Sequence, residues 1–168
     1  MITWQKIRYE IIFERQLKVG IAILNLFGNR QKCKDLMNQM AVLPQNTLGK
    51  HLHQLMAQRK LELVPWYEDH DMKHALLGYE MEAPEEMKMQ AFMFGNAGFP
   101  VFITIVTFFF MIWTPEMWPD FRYHYKIGEL VKPLKNWKLE YYMAHDLLAL
   151  RREIGIQEAI ETANNSLK

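Results

Sequence analysis

Apolar residues recur at helical spacing along most of the chain, and the breaks between runs fall at Gly, Pro and Asn. Residues 3 to 27 make one amphipathic period, with Thr3 as N-cap and Gly28-Asn29 as the stop. A shorter helix is predicted over 31–42. Pro44 then interrupts the chain, Asn46 or Thr47 caps, and Leu48, Leu52, Leu55 and Met56 form the next apolar stripe. Beyond Pro65 a helix is predicted over 66–77, ended by Gly78. Pro84 suits the first turn of another, where Glu85 and Glu86 meet the positive end of the helix dipole. That helix carries Met87, Met89, Phe92, Met93 and Phe94. A helix over 120–132 stops at Pro133, a long one over 136–153 stops at Gly155, and residues 157–168 read as a flexible tail. The pattern predicts an all-α single domain of seven or eight helices.

One run departs from the amphipathic pattern. No charged residue occurs from Ala97 to Thr114. The run sits at the lower limit for a membrane span, and Pro100 shortens its regular part. It reads as a buried core helix, or as a helix that lies in a membrane interface or lines an apolar ligand cavity. Trp113 and Trp118 flank it and suit either reading.

Composition supports the helical assignment and removes several functions. Met, Leu, Lys, Glu and Gln are plentiful, which favours helix over sheet. The 168 residues suffice for one domain with a sizeable core. Lys and Arg number 20 against 19 Asp and Glu, so no global field points to nucleic acid. The single cysteine, Cys33, excludes an intramolecular disulfide and a thiolate metal cluster, and suits a reducing compartment. The first 18 residues are interrupted by charges and do not form a secretory signal.

The chemistry concentrates in "EDHDMKHALLGYEMEAPEEM", residues 68–87. On a helix His74 falls about 40° from His70 and Asp71 about 100°, so the three side chains share one face. Gly78 lies on that face too. Two imidazoles at i and i+4 can hold one divalent ion, and a neighbouring carboxylate adds a harder donor. A further ligand must come from elsewhere. Glu86, heading the next helix after a short turn, is the best placed, with Glu82 and Glu85 as competitors. The result is a metal site on a helical hairpin. The helical zinc-protease motif needs Glu directly after the first His, where this chain has Asp71. An HD-type phosphohydrolase would draw further ligands from His51 or His53 and Asp120 or Asp146, and no spacing supports that choice. The same residues also have a plain structural reading, in which Glu86 serves only the helix dipole. The chain holds a control in His145-Asp146, which has no second His and reads as ordinary surface chemistry. His51 and His53 point to different sides of their helix and read as solvated.

The segment "HDMKHALLGYEMEAPEE" resembles the H-D-x2-H-x11-E signature of the ubiquinone (coenzyme Q) biosynthesis proteins of the Coq-four family. "LPQNTLGKHLHQLM", "MQAFMFGNAG", "GELVKPL" and "LLALRREIGI" resemble that family's flanking segments in the same order. The resemblance covers roughly residues 40–156, which sets 41–156 as the core, 1–40 as weakly matched N-terminal helices of the same domain, and 157–168 as the tail. One departure is Lys73, where the family commonly has an aromatic residue. At about −60° from His70 it lies off the ligand arc. The resemblance implies zinc held by His70, Asp71, His74 and Glu86, and a prenylated hydroxybenzoate-type quinone precursor as ligand. It implies removal of the C1 carboxylate, in some accounts coupled to C1 hydroxylation, or else a non-catalytic lipid-binding or scaffolding role. It also implies a cytoplasmic or mitochondrial-matrix protein peripheral to the membrane, working with other quinone-biosynthesis enzymes. Met89, Phe92, Met93 and Phe102 are the expected contacts of the prenyl tail, and an apolar surface helix of this kind suits a homodimer.

Overall fold

The computed structural model describes residues 28–96, 112 and 114–166, and the elements named below are of those residues. They comprise eight α-helices: α1 (Arg30–Ala41), α2 (Leu48–Arg59), α3 (Glu68–Leu77), α4 (Ala83–Gly95), α5 (Trp118–Leu130), α6 (Leu139–Tyr142), α7 (Leu147–Ile154) and α8 (Ile156–Ser166). A 3-10 turn, Pro115–Met117, precedes α5. The described residues hold no strand, and their one isolated β-bridge joins Thr47 to Asp146. The helix predicted over 3–27 and most of the uncharged run, with Phe102 and Trp113, lie outside the described residues. Among those described, no helix is long and apolar enough to cross a membrane.

The chain divides into two compact units, each built from two separate stretches. The first takes the residues up to Pro84 and Lys138–Leu147. Within it α2 packs on both α1 and α3, and α6 touches α2 and α3. Each helix buries the stripe its sequence spacing dictates: Cys33, Leu36 and Met40 from α1, Leu48, Leu52 and Met56 from α2, and Met72, Ala75 and Leu76 from α3. Each fully buried Leu or Met contributes about 1.5–3 kcal/mol. The Cys33 thiol is pushed up to about 11 by burial and by Glu68, to which it donates a hydrogen bond of 3.5 Å, so it behaves as a core side chain.

The start of α2 is capped twice. Thr47 Oγ1 accepts from the Lys50 amide. The amides of Leu48 and Gly49, which no helical carbonyl can satisfy, donate to the carbonyls of His145 and Met143 at 2.9 and 2.8 Å. This corrects the long helix predicted over 136–153. The chain breaks between α6 and α7 because residues 143–146 bond across to α2, with Leu147 N donating to Asn46 O and Asn46 Nδ2 donating to Asp146 Oδ2, 2.8 Å. Asp146, read as surface chemistry, is therefore a structural residue. A second correction concerns α3, which starts at Glu68. Trp66 holds a left-handed φ of 66° and cannot begin a right-handed helix.

The second unit takes Glu85–Trp137 and the residues from Leu148 onward. Its centre is α4, where Met87, Met89, Gln90, Ala91, Phe92 and Met93 are all at most 5% exposed. From Glu85 to Phe94 only Glu85, Lys88 and Phe94 keep partial exposure, so the solvent face of this helix is narrow. Met89, Phe92 and Met93, expected along a tail groove, are at 0, 0 and 3% exposure and pack here as core. The crossing of α4 and α5 is close enough to exclude side chains. A Cβ on Gly128 would stand 1.9 Å from the Phe92 carbonyl oxygen, and one on Gly95 would stand 2.0 Å from that of Tyr125. Asn96, at the end of α4, closes the crossing. Its Nδ2 lies 3.0, 3.0 and 3.2 Å from the carbonyls of Gly128, Val131 and Lys132, and its Oδ1 accepts from the Leu134 amide at 2.7 Å. These bonds satisfy carbonyls left unpaired where α5 ends ahead of Pro133. The stretch from 157, expected to be a flexible tail, is instead helical in α8, which packs on α5 and buries Ala159 and Ala163.

The second unit also carries a titration that should govern its acid stability. Burial, with help from Lys88, pushes the His124 imidazole down to about 4, against the opposing pull of Asp120 and Glu85. The fold therefore favours neutral His124, and the unfolded chain binds the proton more tightly. Stability is fully present above the ordinary value near 6.5 and is lost as pH falls from there towards 4, by on the order of 2–3 kcal/mol. Thermal melts between pH 7 and 4 should show this slope, and His124→Gln should remove it. An unchanged slope in that variant would assign the acid sensitivity to other groups.

Candidate metal centre

The helix α3 places His70 and His74 one turn apart, with ring centroids 5.1 Å from each other in an edge-to-face arrangement. Tyr67, just before the helix, packs its ring 4.4 Å from that of His70. Gly78 ends α3 at φ 84°, a left-handed turn that favours glycine, and its amide bonds the His74 carbonyl at 2.9 Å. The chain then turns through Tyr79–Glu82 into α4, whose first turn carries Glu86. One ligand atom from each of His70, His74 and Glu86 lies within 4.8 Å of the others. His74 and Glu86 are buried and His70 is half-buried.

The local bonds prepare these side chains for a cation. His74 Nδ1 lies 3.2 Å from the Tyr79 carbonyl oxygen. A carbonyl only accepts, so Nδ1 carries the proton and Nε2 keeps its lone pair for a metal. Arg59, at the end of α2, holds the turn that presents this carbonyl, with Nη2 2.8 Å from Glu80 and Nη1 3.0 Å from Glu82. Gln90, one turn along α4, donates through Nε2 to Glu86 Oε1. At the other end of α3, Asp69 accepts from the Leu139 amide at 2.9 Å and from Lys138 Nζ at 2.7 Å, which anchors the turn bearing His70.

The donor set fits a divalent metal. Two imidazole nitrogens and a carboxylate oxygen are the ligands of open, three-residue metal sites, and tetrahedral ligands on one such ion stand about 3.4 Å apart. The observed spacing closes to that with small side-chain adjustments. Of the sequence candidates, His70, His74 and Glu86 come together. The competitors do not: Glu82 is engaged by Arg59, and Glu85 pairs with Lys88 at 2.7 Å. Asp71 lies outside the three-residue group, with Oδ1 3.6 Å from His70 Nδ1, beyond hydrogen-bond length. Lys73 is half-buried, and burial lowers its pKa. Sequence reasoning did not single out Gln90. Its signal was there, as the one amide in the otherwise apolar stretch 89–93, four residues after Glu86. The Tyr79 carbonyl is a backbone group and leaves no such trace.

Comparison with known proteins identifies a family and a fold. Residues 66–159 match the family described as coenzyme Q (ubiquinone) biosynthesis protein Coq4. Among solved structures, a candidate ubiquinone biosynthesis protein from Nostoc punctiforme is 18% identical, with a TM-score of 0.57 over 83% of this chain and 80% of that one. At that identity the likeness is one of fold. No curated protein matches the chain.

Proposed function

Since the chain belongs to the Coq4 family of coenzyme Q biosynthesis proteins, we propose that it removes the C1 carboxylate from a prenylated 4-hydroxybenzoate-type precursor with the help of zinc. The observation that carries this reading is the gathering of His70, His74 and Glu86 within 4.8 Å, a three-residue set that leaves a fourth position for substrate. Bound zinc supplies Lewis-acid and electrostatic stabilisation of the charge that develops as the carboxylate leaves.

The chain's own residues do the positioning. The Tyr79 carbonyl holds the His74 tautomer, and Asp71, with Oδ1 3.6 Å from His70 Nδ1, adds negative charge beside the site while leaving the fourth position to substrate. The exchange balances without an oxidant: the bond from C1 to the carboxyl carbon breaks, carbon dioxide departs, and C1 takes one proton. A prenyl tail along α4 would require the core residues Met89 and Met93 to readjust around it, which flexible methionines allow. The substrate's lipid character makes the protein peripheral to a membrane.

The test uses purified protein, zinc, and carboxyl-labelled 4-hydroxybenzoate with and without a prenyl tail. Label should be released as carbon dioxide from the prenylated compound at least 10-fold faster than from the bare head group. Equal rates would replace the lipid substrate with a soluble one. Binding of the prenylated compound with no release of label would leave the protein as a carrier or scaffold.

A further inference from the structure

The interior of α4 contains one side chain that packing does not explain. Met87, Met89, Ala91, Phe92 and Met93 are apolar and buried, and Gln90 lies among them at 5% exposure. Burying an amide costs free energy unless it is bonded, so an apolar residue of the same volume would serve the core at least as well. The amide is used instead on Glu86, one helical turn away and 9% exposed, with Gln90 Nε2 donating to Glu86 Oε1. Residues at i and i+4 on one helix face each other, so the helix itself sets this contact.

We propose that Gln90 is a positioning residue for the metal site, holding Glu86 as a ligand through a single oxygen. This inference rests on the reading of His70, His74 and Glu86 as metal ligands. A carboxylate free to rotate can offer both oxygens, which suits cations of high coordination number. With Oε1 tied to Gln90, Oε2 is the oxygen left to face the imidazoles. Four-coordinate ions of the zinc type are then favoured over larger, oxygen-seeking ones. Gln90 touches no reacting atom in this scheme and acts only through Glu86.

Cobalt(II) is the probe, since its visible absorption reports coordination number directly. The protein is titrated with cobalt and zinc as wild type, Gln90→Met (similar length and shape, no donor), Gln90→Asn (a donor too short to reach) and His74→Ala. Wild type should give an intense four-coordinate spectrum. Gln90→Met and Gln90→Asn should both shift it to the weak spectrum of higher coordination and lower zinc affinity about 10- to 100-fold. Melting of the metal-free proteins monitors the fold. A merely structural Gln90 would lower the melting temperature and leave the spectrum of the bound ion alone. Unchanged spectrum and affinity in both Gln90 variants would overturn the proposal. Absence of cobalt binding in wild type, or binding in His74→Ala equal to wild type, would instead remove the metal site on which it rests.

Discussion

The His74→Ala protein should bind zinc at least about 100-fold more weakly than wild type, because loss of a direct ligand exceeds the 10- to 100-fold typical of losing a second-sphere partner. His74 is the most constrained of the three ligands: it is 2% exposed and its Nδ1 is committed to the Tyr79 carbonyl. Chelator competition would measure the affinity. The metal-free variant should melt somewhat below metal-free wild type, since the carbonyl of Tyr79 loses its donor at a cost of about 1–3 kcal/mol. The larger difference should appear with metal. Zinc at 1,000 times its dissociation constant stabilises wild type by about 4 kcal/mol, and the variant should lose most of that. Full zinc occupancy in His74→Ala would show that the ion is held elsewhere.

Gly128→Val should be the most damaging small substitution in the second unit. The added Cβ would meet a backbone carbonyl oxygen at 1.9 Å, and backbone cannot turn aside as a flexible side chain can. Overpacking a core against side chains costs about 1–3 kcal/mol, and this collision should cost more. It would also part Asn96 from the carbonyls of Gly128 and Val131, each 3.0 Å from its amide nitrogen. The expected result is a second unit that no longer unfolds cooperatively, read by denaturant titration followed at the tryptophans. A variant within about 1 kcal/mol of wild type, the smallest effect such packing changes give, would mean that the two helices do not cross this closely.

Local signals made most of the helices legible. Thr47, Gly78, Pro84 and Pro133 mark helix boundaries through backbone chemistry that is the same in any protein, and the structure places ends of α2, α3, α4 and α5 beside them. The spacing of His70, His74 and Glu86 was legible for a similar reason, because helical periodicity and one short turn fix their arrangement. Two kinds of feature were hidden. Residues 143–146 look helical in isolation, and only the unsatisfied amides of Leu48 and Gly49, far away in sequence, pull them out of the helix. The polar "TANN" of α8 looks like a tail until α5 supplies a surface that takes Ala159 and Ala163. Lone glycines such as Gly95 and Gly128 carry no label saying that another backbone lies against them.

The bond from Asn46 to Asp146 spans 100 residues of chain. A ribosome adding about 5–20 residues per second needs roughly 5–20 s to cover that distance. For that interval α2 exists without the carbonyls of Met143 and His145 that cap it, and α3 waits through 70 residues for the Leu139 amide that anchors Asp69. The turn bearing His70 therefore reaches its final form only after residue Leu139 has been made. During synthesis the nascent chain presents its histidines and carboxylates as an unfinished set, and the surroundings of His70 are completed by residues made well after it rather than helix by helix.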